Sequence, residues 1–517
     1  MTEAQTSTTD TEEPAPEDRL AIEHDYESIT SLLDENPERA HDEEVVTALA
    51  MSKLNGTKLW SQFAPEMSEY ETIDYNAYQT LIASRVEELE RQDDEPDNVV
   101  EETTPDDPPE PEGDPPSWET AAEAAEAMFD ERSRNLADAF MTVPGRMLFT
   151  KVTDCPMVIG TGVASSGKST IAETFGGIDF VNSYGKVTPN AWISHNADAE
   201  KGEYDLLPRI KQRVMLATEI STWFTGDNVE EYMRVLAAVA DGNGDSKTTG
   251  AHGTTRYEAD YAGEYRFGLI GATVYPSKRA WIEMGHAGSR FLFHPLPKED
   301  DLRTLIEKLN DGNYTERKQE LRELITQWWR GFYHQYDGEI TEDERPSLSE
   351  EDDMTVGLLA RIISRGRAVD FGGDHGQSGV DMSEQESRAY WMLKRMLQMR
   401  ALAYERDTIN QADMAMGARV AFASVPQWRQ PIVKMLCNPN HSGGYKASDV
   451  ESHTGYARSM ALDRMKEAGR IGIADYYEEP GDGGRNAVVT LEDKRLKGIF
   501  QEDPETGQVR VPWPFDE

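Results

Sequence analysis

Apolar positions along the chain fall into three regimes. In "YQTLIASRVEELE" (Tyr78–Glu90) and "WETAAEAAEAMFDERSRNLADAF" (Trp118–Phe140) they follow helical patterning. Between about residues 150 and 297, short continuous apolar runs of strand type take over. These are "CPMVIG" (Cys155–Gly160), "RVMLATEIST" (Arg213–Thr222), "YRFGLIGATVYP" (Tyr265–Pro276) and the run after Arg290 in "GHAGSRFLFHPLP" (Gly285–Pro297). From Pro297 to about Pro426 the pattern is mostly helical. The predicted organisation is a disordered acidic tail over 1–19, a small helical region over 20–91 and an acidic proline-rich linker over 92–117. An α/β core over 118–298, a helical lid over 299–425, a small domain over 426–500 and a tail over 501–517 follow. No repeat of solenoid period is present.

The first strand run continues as "GTGVASSGKSTIAETF" (Gly160–Phe175). Gly162, four residues, Gly167, Lys168 and Ser169 fit G-x-x-x-x-G-K-[ST] without a gap. Glycines let the backbone turn so that successive N–H groups, those of Ser165, Ser166, Gly167 and Thr170 included, face phosphate oxygens. Lys168 would reach the β- and γ-phosphates, and the Ser169 hydroxyl would join the Mg²⁺ shell. Ile171 and Phe175, four apart, place a helix after the loop, whose dipole also favours phosphate. The alternative is a Gly/Ser-rich turn that matches by accident. The spacing predicts bound ATP with Mg²⁺.

Charge changes the picture at both ends. The net charge is −44 and the mean hydropathy −0.66. Residues 1–130 carry 37 acids and 6 bases, so most of the negative charge lies there. A mildly acidic body with more Arg than Lys suits a salt-rich, halophilic cytoplasm, where repulsion is screened; an acidic arm on an ordinary protein is the alternative. Cys155 and Cys437 are the only cysteines, which excludes a disulfide framework and a four-cysteine zinc site. "CNPNH" (Cys437–His441) reads as a loop. No signal peptide and no apolar run of membrane-spanning length is seen, which predicts a cytoplasmic protein with no membrane partner.

Three later positions carry chemistry. Glu219 ends an apolar strand, where a carboxylate can polarise an attacking water or complete the metal shell. Thr273 ends the next strand, and its hydroxyl could orient that water. Arg290 precedes a further strand, where a guanidinium can stabilise transition-state charge on a neighbouring subunit's γ-phosphate. The competing readings are an edge-strand glutamate, a buried threonine and a surface arginine.

P-loop, acidic strand, sensor strand and "SRF" (Ser289–Phe291) in this order resemble the AAA+ ATPases. Over roughly residues 140–425 the chain is most similar to the minichromosome maintenance (MCM) helicases and related virus- or plasmid-encoded replication ATPases. The resemblance implies that Arg290 is an arginine finger and that a DNA-contacting hairpin lies within Val229–Phe267, with Lys247 in the place of its lysine. It also implies that Arg388, opening "SEQESRAYWMLKRMLQMRALAYERDTINQADMAMGARVA" (Ser383–Ala421), is the second sensor arginine; a solvated helix-face charge is the alternative. The chain departs from the pattern in two ways. Thr218–Glu219 stands where the family has Asp–Glu, which leaves open whether Glu219 is base, metal ligand or both. The amino-terminal part lacks the length and cysteines of the family's zinc-bearing domain, so a relative is implied and not an MCM protein proper.

"VPQWRQPIVKMLCN" (Val425–Asn438), "KASDVESHT" (Lys446–Thr454) and "ARSMALDRMKEAGRI" (Ala457–Ile471) read as three helices, followed by two strands around a Gly/Asp turn (Ile471–Leu491). This is winged-helix order. Arg458, Arg464 and Lys466 on the third helix and Arg485 after the turn are candidate DNA contacts. Residues 427–500 hold 11 bases and 10 acids, a relative enrichment in so acidic a chain; the alternative is a winged helix that binds protein.

The expected protein is an ATP-driven, ring-forming (hexameric) DNA helicase or translocase for a virus or mobile element. Other replication proteins are expected partners of the acidic arm. An ATP-switched DNA-binding initiator or regulator is the alternative, and a partner-remodelling ATPase a third.

Overall fold

Four buried apolar strand runs and a short, partly exposed edge strand come together as one parallel sheet. The computed structural model describes residues 40–54, 78, 81–83, 85–86, 107–193, 205–249, 253–287, 290–296, 313–370, 386–441, 443–481, 484–502 and 507–515. Contacts divide the chain into two units, residues 1–100 and 101–517.

In the first unit α1 (Glu43–Leu54) buries Val45, Val46, Leu49 and Ala50. Tyr78 and residues 81–83 and 85–86 are helical, as the pattern of Tyr78–Glu90 predicts. The Tyr78 hydroxyl donates to Ala40 O at 2.6 Å and Arg85 Nε to Thr47 Oγ1 at 3.1 Å. The tail expected over 1–19 lies outside the described residues.

In the second unit α2 (Trp118–Met128) and α3 (Glu131–Met147) lead into β1 (Met157–Thr161), and α4 (Lys168–Thr174) follows it. The sheet continues with β2 (Val181–Ser183) and β3 (Val214–Ala217). Helix α5 (Val229–Val239) then leads into an antiparallel hairpin, β4 (Gly244–Thr249) and β5 (Gly253–Glu258). β6 (Gly268–Thr273), α6 (Lys278–Ala287) and β7 (Leu292–Pro295) complete this region. The sheet order is β2-β3-β6-β1-β7, every pairing parallel. β1 therefore lies between β6 and β7, with Thr161 level with both Thr273 and Pro295.

Each face of the sheet has its own apolar core. On one side Leu136, Phe140, Val143, Ile171 and Phe175 of α2–α4 and their surroundings pack with Val158, Val214 and Ile270. On the other, Trp192, Trp223, Met233 and Leu236 pack with Met157, Met215 and Leu269. Four long helices extend the first core: α7 (Tyr314–Gln335), α8 (Glu350–Arg367), α9 (Glu386–Ala403) and α10 (Gln411–Ala423). α10 packs on β7, and α9 on α3.

A buried ionic network joins these layers. Arg400 of α9 grips Asp138 of α3 through Nε at 3.0 Å and Nη2 at 2.8 Å, and reaches Asp413 of α10 at 2.6 Å. Asp138 also accepts from Trp118 Nε1 at 2.7 Å and the Tyr404 hydroxyl at 2.9 Å. Burial works against the Arg400 charge, but Asp138 and Asp413 outweigh it and hold the guanidinium above its ordinary value. A second arginine, Arg266, caps the carbonyl end of α3, donating to Met147 O and Phe149 O, both at 3.2 Å.

The last residues of the expected linker, from Asp107 on, lie along α7. Tyr333 of α7 donates to Asp107 Oδ1 at 2.7 Å, His334 Nε2 lies 2.8 Å from Pro108 O, and Glu112 N donates to Gln327 at 2.9 Å. Proline has fixed φ and no N–H, so this stretch docks on a row of α7 side chains at little entropic cost.

The carboxy-terminal elements are α11 (Gln430–Cys437), β8 (Tyr445–Lys446), α12 (Ala447–Thr454), α13 (Arg458–Arg470), β9 (Ala474–Gly481) and β10 (Gly484–Leu491). They make three helices against an antiparallel sheet of order β8-β10-β9. The final residues return to the body: Val511 is buried, and Trp513 and Phe515 pack edge-on against Phe422 of α10. Among the described residues no helix is long and apolar enough to cross a membrane.

The Asp138–Arg400–Asp413 network generates a stability prediction. Arg400→Met roughly keeps the volume but leaves the buried Asp138 carboxylate without its guanidinium, while Asp413 keeps Arg406, at a cost of about 3–5 kcal/mol. The urea midpoint should fall accordingly; an unchanged midpoint would show that the layers hold without the network.

Candidate functional site

The carboxyl end of β1 turns directly into the glycine-rich loop. A Cβ on Gly162 would stand 2.2 Å from Leu296 O, so a side chain there has no room. Gly167 has φ +94° and Ser165 φ +60°, the left-handed conformation that folds the loop back to the start of α4. Lys168 is buried, and its ammonium donates to Val163 O at 2.7 Å and Ser166 Oγ at 3.1 Å. Burial holds the Lys168 pKa below its ordinary value, with Glu219 opposing the shift.

Two neighbouring strand ends meet this loop. Ser169 Oγ donates to Thr218 O at 2.9 Å, tying α4 to the end of β3. The exposed Glu219 carboxylate accepts from Ser221 N at 2.8 Å. Ser221 Oγ in turn lies 3.3 Å from Val274 N and 3.4 Å from Thr273 Oγ1. The fold thus brings Lys168, Ser169, Glu219 and Thr273 to one rim, with Ser221 as a link that the pattern of residues did not single out. From β1 the chain departs toward β2 on one side, while β7 lies on the other. Such a switch point at the carboxyl rim is where open α/β sheets hold ligands.

An aromatic wall stands beside the loop. The Tyr314 hydroxyl is 2.7 Å from Thr170 Oγ1, and the Phe129 ring abuts Gly167. The two rings meet edge to face at 6.0 Å. Nothing in the local sequence signals this pairing, because Phe129 and Tyr314 lie on segments 185 residues apart.

Arg290 and Arg388 are not part of this rim. Arg290 precedes β7 by two residues, and Leu292 pairs with Val158, near the amino end of β1. Arg290 thus falls level with Pro156, about six residues of extended chain from Gly162, or roughly 20 Å at about 3.3 Å per residue. Arg290 Nη2 donates to Ala237 O at 3.0 Å and to Asp241 Oδ2 at 3.1 Å. Arg388, on the first turn of α9, lies 3.9 Å from the same Asp241.

The candidate DNA contacts are dispersed. Lys247 lies on β4 level with Thr255 of the hairpin. Arg458 pairs with Glu451 at 2.9 Å and Arg485 with Glu478 at 3.6 Å. Arg464 is turned inward against Glu467, which also holds Arg429. Lys466 is exposed on α13. In "CNPNH", Cys437 ends α11 as a buried thiol pushed up to about 12 by burial, and His441 stacks on Tyr445. Among the described residues no group of three His, Cys, Asp or Glu side chains is placed to hold a metal ion.

No family model matches the chain. No curated protein matches it either. Among solved structures, the A form apo structure of the NrS-1 C-terminal region aligns with 74% of this chain and 77% of that chain at 11% identity, with a TM-score of 0.26. A likeness at that level supports no statement about fold or function.

Gly162→Ala must force the loop away from Leu296 O. Its circular-dichroism spectrum should match the parent, while binding of a fluorescent ATP analogue should weaken by at least about tenfold, or about 1.4 kcal/mol. Undiminished binding would separate the loop from nucleotide recognition.

Proposed function

We propose that the chain is an ATP-hydrolysing AAA+ ATPase akin to the MCM helicases, acting as a homo-oligomeric ring on DNA in the replication of a virus or mobile element. The observation that carries this reading is the separation along β1. Lys168, Ser169, Glu219 and Thr273 lie at one end, and Arg290 with Arg388 at the other. A finger at the far end cannot serve its own loop. It can serve the loop of a neighbouring copy, and a closed ring supplies one such neighbour to every subunit.

The loop's residues fit a nucleotide triphosphate with Mg²⁺. Lys168 would exchange its hydrogen bonds to Val163 O and Ser166 Oγ for phosphate oxygens. Ser169 and Glu219 would hold the metal shell, and the Glu219 carboxylate would accept the proton of the attacking water. The bound nucleotide supplies the phosphoanhydride bond. Phe129 and Tyr314 would bound the site on the side of the base. The three-helix, three-stranded carboxy-terminal region is read as a winged helix, with Arg458, Lys466 and Arg485 among its exposed cations. A cytoplasm rich in salt suits the acidic surface.

One observation favours the ATP-switched initiator instead. Arg458, Arg464 and Arg485 all pair with carboxylates of their own region, which lowers the charge available to phosphates. ATPase rate with and without DNA at high KCl, run beside a strand-displacement assay, decides between the two. DNA-stimulated turnover with displacement supports the motor, and nucleotide-dependent binding without displacement the switch. Turnover stimulated by protein and indifferent to DNA would reject both.

Glu219→Gln should bind ATP and hydrolyse it at least about 10²-fold more slowly, because the amide cannot accept the proton. Loss of binding instead would make Glu219 chiefly a metal-shell residue. Arg290→Ala should retain ATP affinity and lose about 10³-fold or more in turnover. Mixing it with Lys168→Ala protein, itself inactive, should restore part of the activity, because some boundaries then pair an intact loop with an intact finger. If subunits exchange and no activity returns, Arg290 does not act across a boundary.

A further inference from the structure

Asp241 is absent from every role assigned above, yet it is where the two distant arginines meet. Arg290 lies 3.1 Å from each Asp241 oxygen, through Nη1 to Oδ1 and Nη2 to Oδ2. The Nη2 contact is a hydrogen bond and the Nη1 contact an ion pair, so the carboxylate holds the guanidinium by charge and by one directed bond. Arg388 approaches Oδ1 at 3.9 Å from another element, the first turn of α9. One carboxylate therefore offsets the repulsion between two guanidiniums that come from the residues before β7 and from α9.

The carboxylate is itself held firmly. It follows α5 directly, and its neighbours on both sides are tied to the body. Ala240 O accepts from Cys155 N at 3.1 Å, just before β1. Gly242 O accepts from Tyr265 N at 2.9 Å, just before β6. α9 is anchored at the same rim, where Arg395, two turns beyond Arg388, pairs with Asp154. Asp241 also stands three residues before β4, at the root of the hairpin.

The Asp241 side chain is about half exposed and that of Arg388 38% exposed, while that of Arg290 is 12% exposed. Asp241 and Arg388 thus stand together at the surface, and the Arg290 guanidinium lies deeper, between Asp241 and Ala237 O. The guanidinium has five donors, so a carboxylate can orient it without using up its hydrogen bonds.

We propose that Asp241 is a positioning residue that gathers Arg290 and Arg388 into one cationic pair for the terminal phosphate of a nucleotide bound by a neighbouring copy. This rests on the ring reading. It adds a carboxylate to the arginine-bearing face and makes the two arginines act as one unit. Loss of the anchor lets both guanidiniums drift, and displacements of about 1 Å can cost on the order of 10²-fold in rate.

The test exploits the division of labour between two chains. In a mixture of Lys168→Ala and Arg290→Ala proteins, the first supplies the finger and the second the loop. Asp241→Ala is added to one chain or the other, with isosteric Asp241→Asn beside it and melting curves recorded for all. On the finger-supplying chain the change should cut the restored ATPase activity about 10- to 100-fold. On the loop-supplying chain it should leave that activity intact. Equal losses in both mixtures, or no loss in either, would overturn the assignment, the first by making Asp241 a folding residue. No restored activity in the parent mixture would overturn the ring reading and this proposal with it.

Discussion

The parallel pairing of β1 with β6 on one side and β7 on the other constrains everything else in the molecule. A strand paired on both edges and covered on both faces cannot slip by one residue without carrying its apolar set to the wrong core. Its register fixes which loops share a rim. Thr161, Thr273 and Pro295 are level, so the glycine-rich loop, the end of β6 and the end of β7 open on the same side. The same register places Arg290 at the opposite end. Distance between the two sets of groups is a property of strand length and not of side-chain choice.

The ionic core over this sheet serves a different purpose. Asp138, Arg400 and Asp413 are nearly inaccessible, and an apolar set of the same volume would be at least as stable in many proteins. What such a set would lack is direction. The Arg400 guanidinium binds Asp138 through two nitrogens and Asp413 through a third, which fixes α9 in rotation and height relative to α3 and α10. Arg388 lies on the same helix, three turns earlier. A slide of α9 by one turn would carry Arg388 away from Asp241, so the buried network also sets the arginine-bearing rim.

Much of this was legible in the sequence because the signals are local. The loop spacing at Gly162–Ser169, the apolar runs that became β1, β3, β6 and β7, and the helix–helix–helix–hairpin order after Val425 each depend on a few adjacent residues. Glu219 and Thr273 were legible for the same reason, since both end an apolar run. What escaped depends on side chains far apart in sequence. Asp241 follows a helix like any turn residue, and only its two arginines, 49 and 147 positions later, give it meaning. Phe129 and Tyr314 are likewise ordinary until they meet. The contacts of the Pro- and acid-rich stretch ending at Ser117 escaped for the same reason: its last residues, from Asp107 on, lie along α7. The aromatic and amide side chains that receive it are more than 200 residues away, beyond the reach of any local pattern.

The placement of Asp241 at the root of the β4–β5 hairpin has a mechanical consequence. Ala240 and Gly242 are pinned to the chain before β1 and β6, so displacement of the hairpin does not pass freely through the root. Force applied at the hairpin is either absorbed in its own strands, or it moves the root, and then Asp241, Arg290 and Arg388 move together. In a ring, the second outcome would alter the cationic pair presented to the neighbour's nucleotide. Contact at the hairpin and hydrolysis at the adjoining loop would then be coupled through a single carboxylate. Such a coupling would require no long relay, because Asp241 pairs with the arginines and stands three residues before the hairpin.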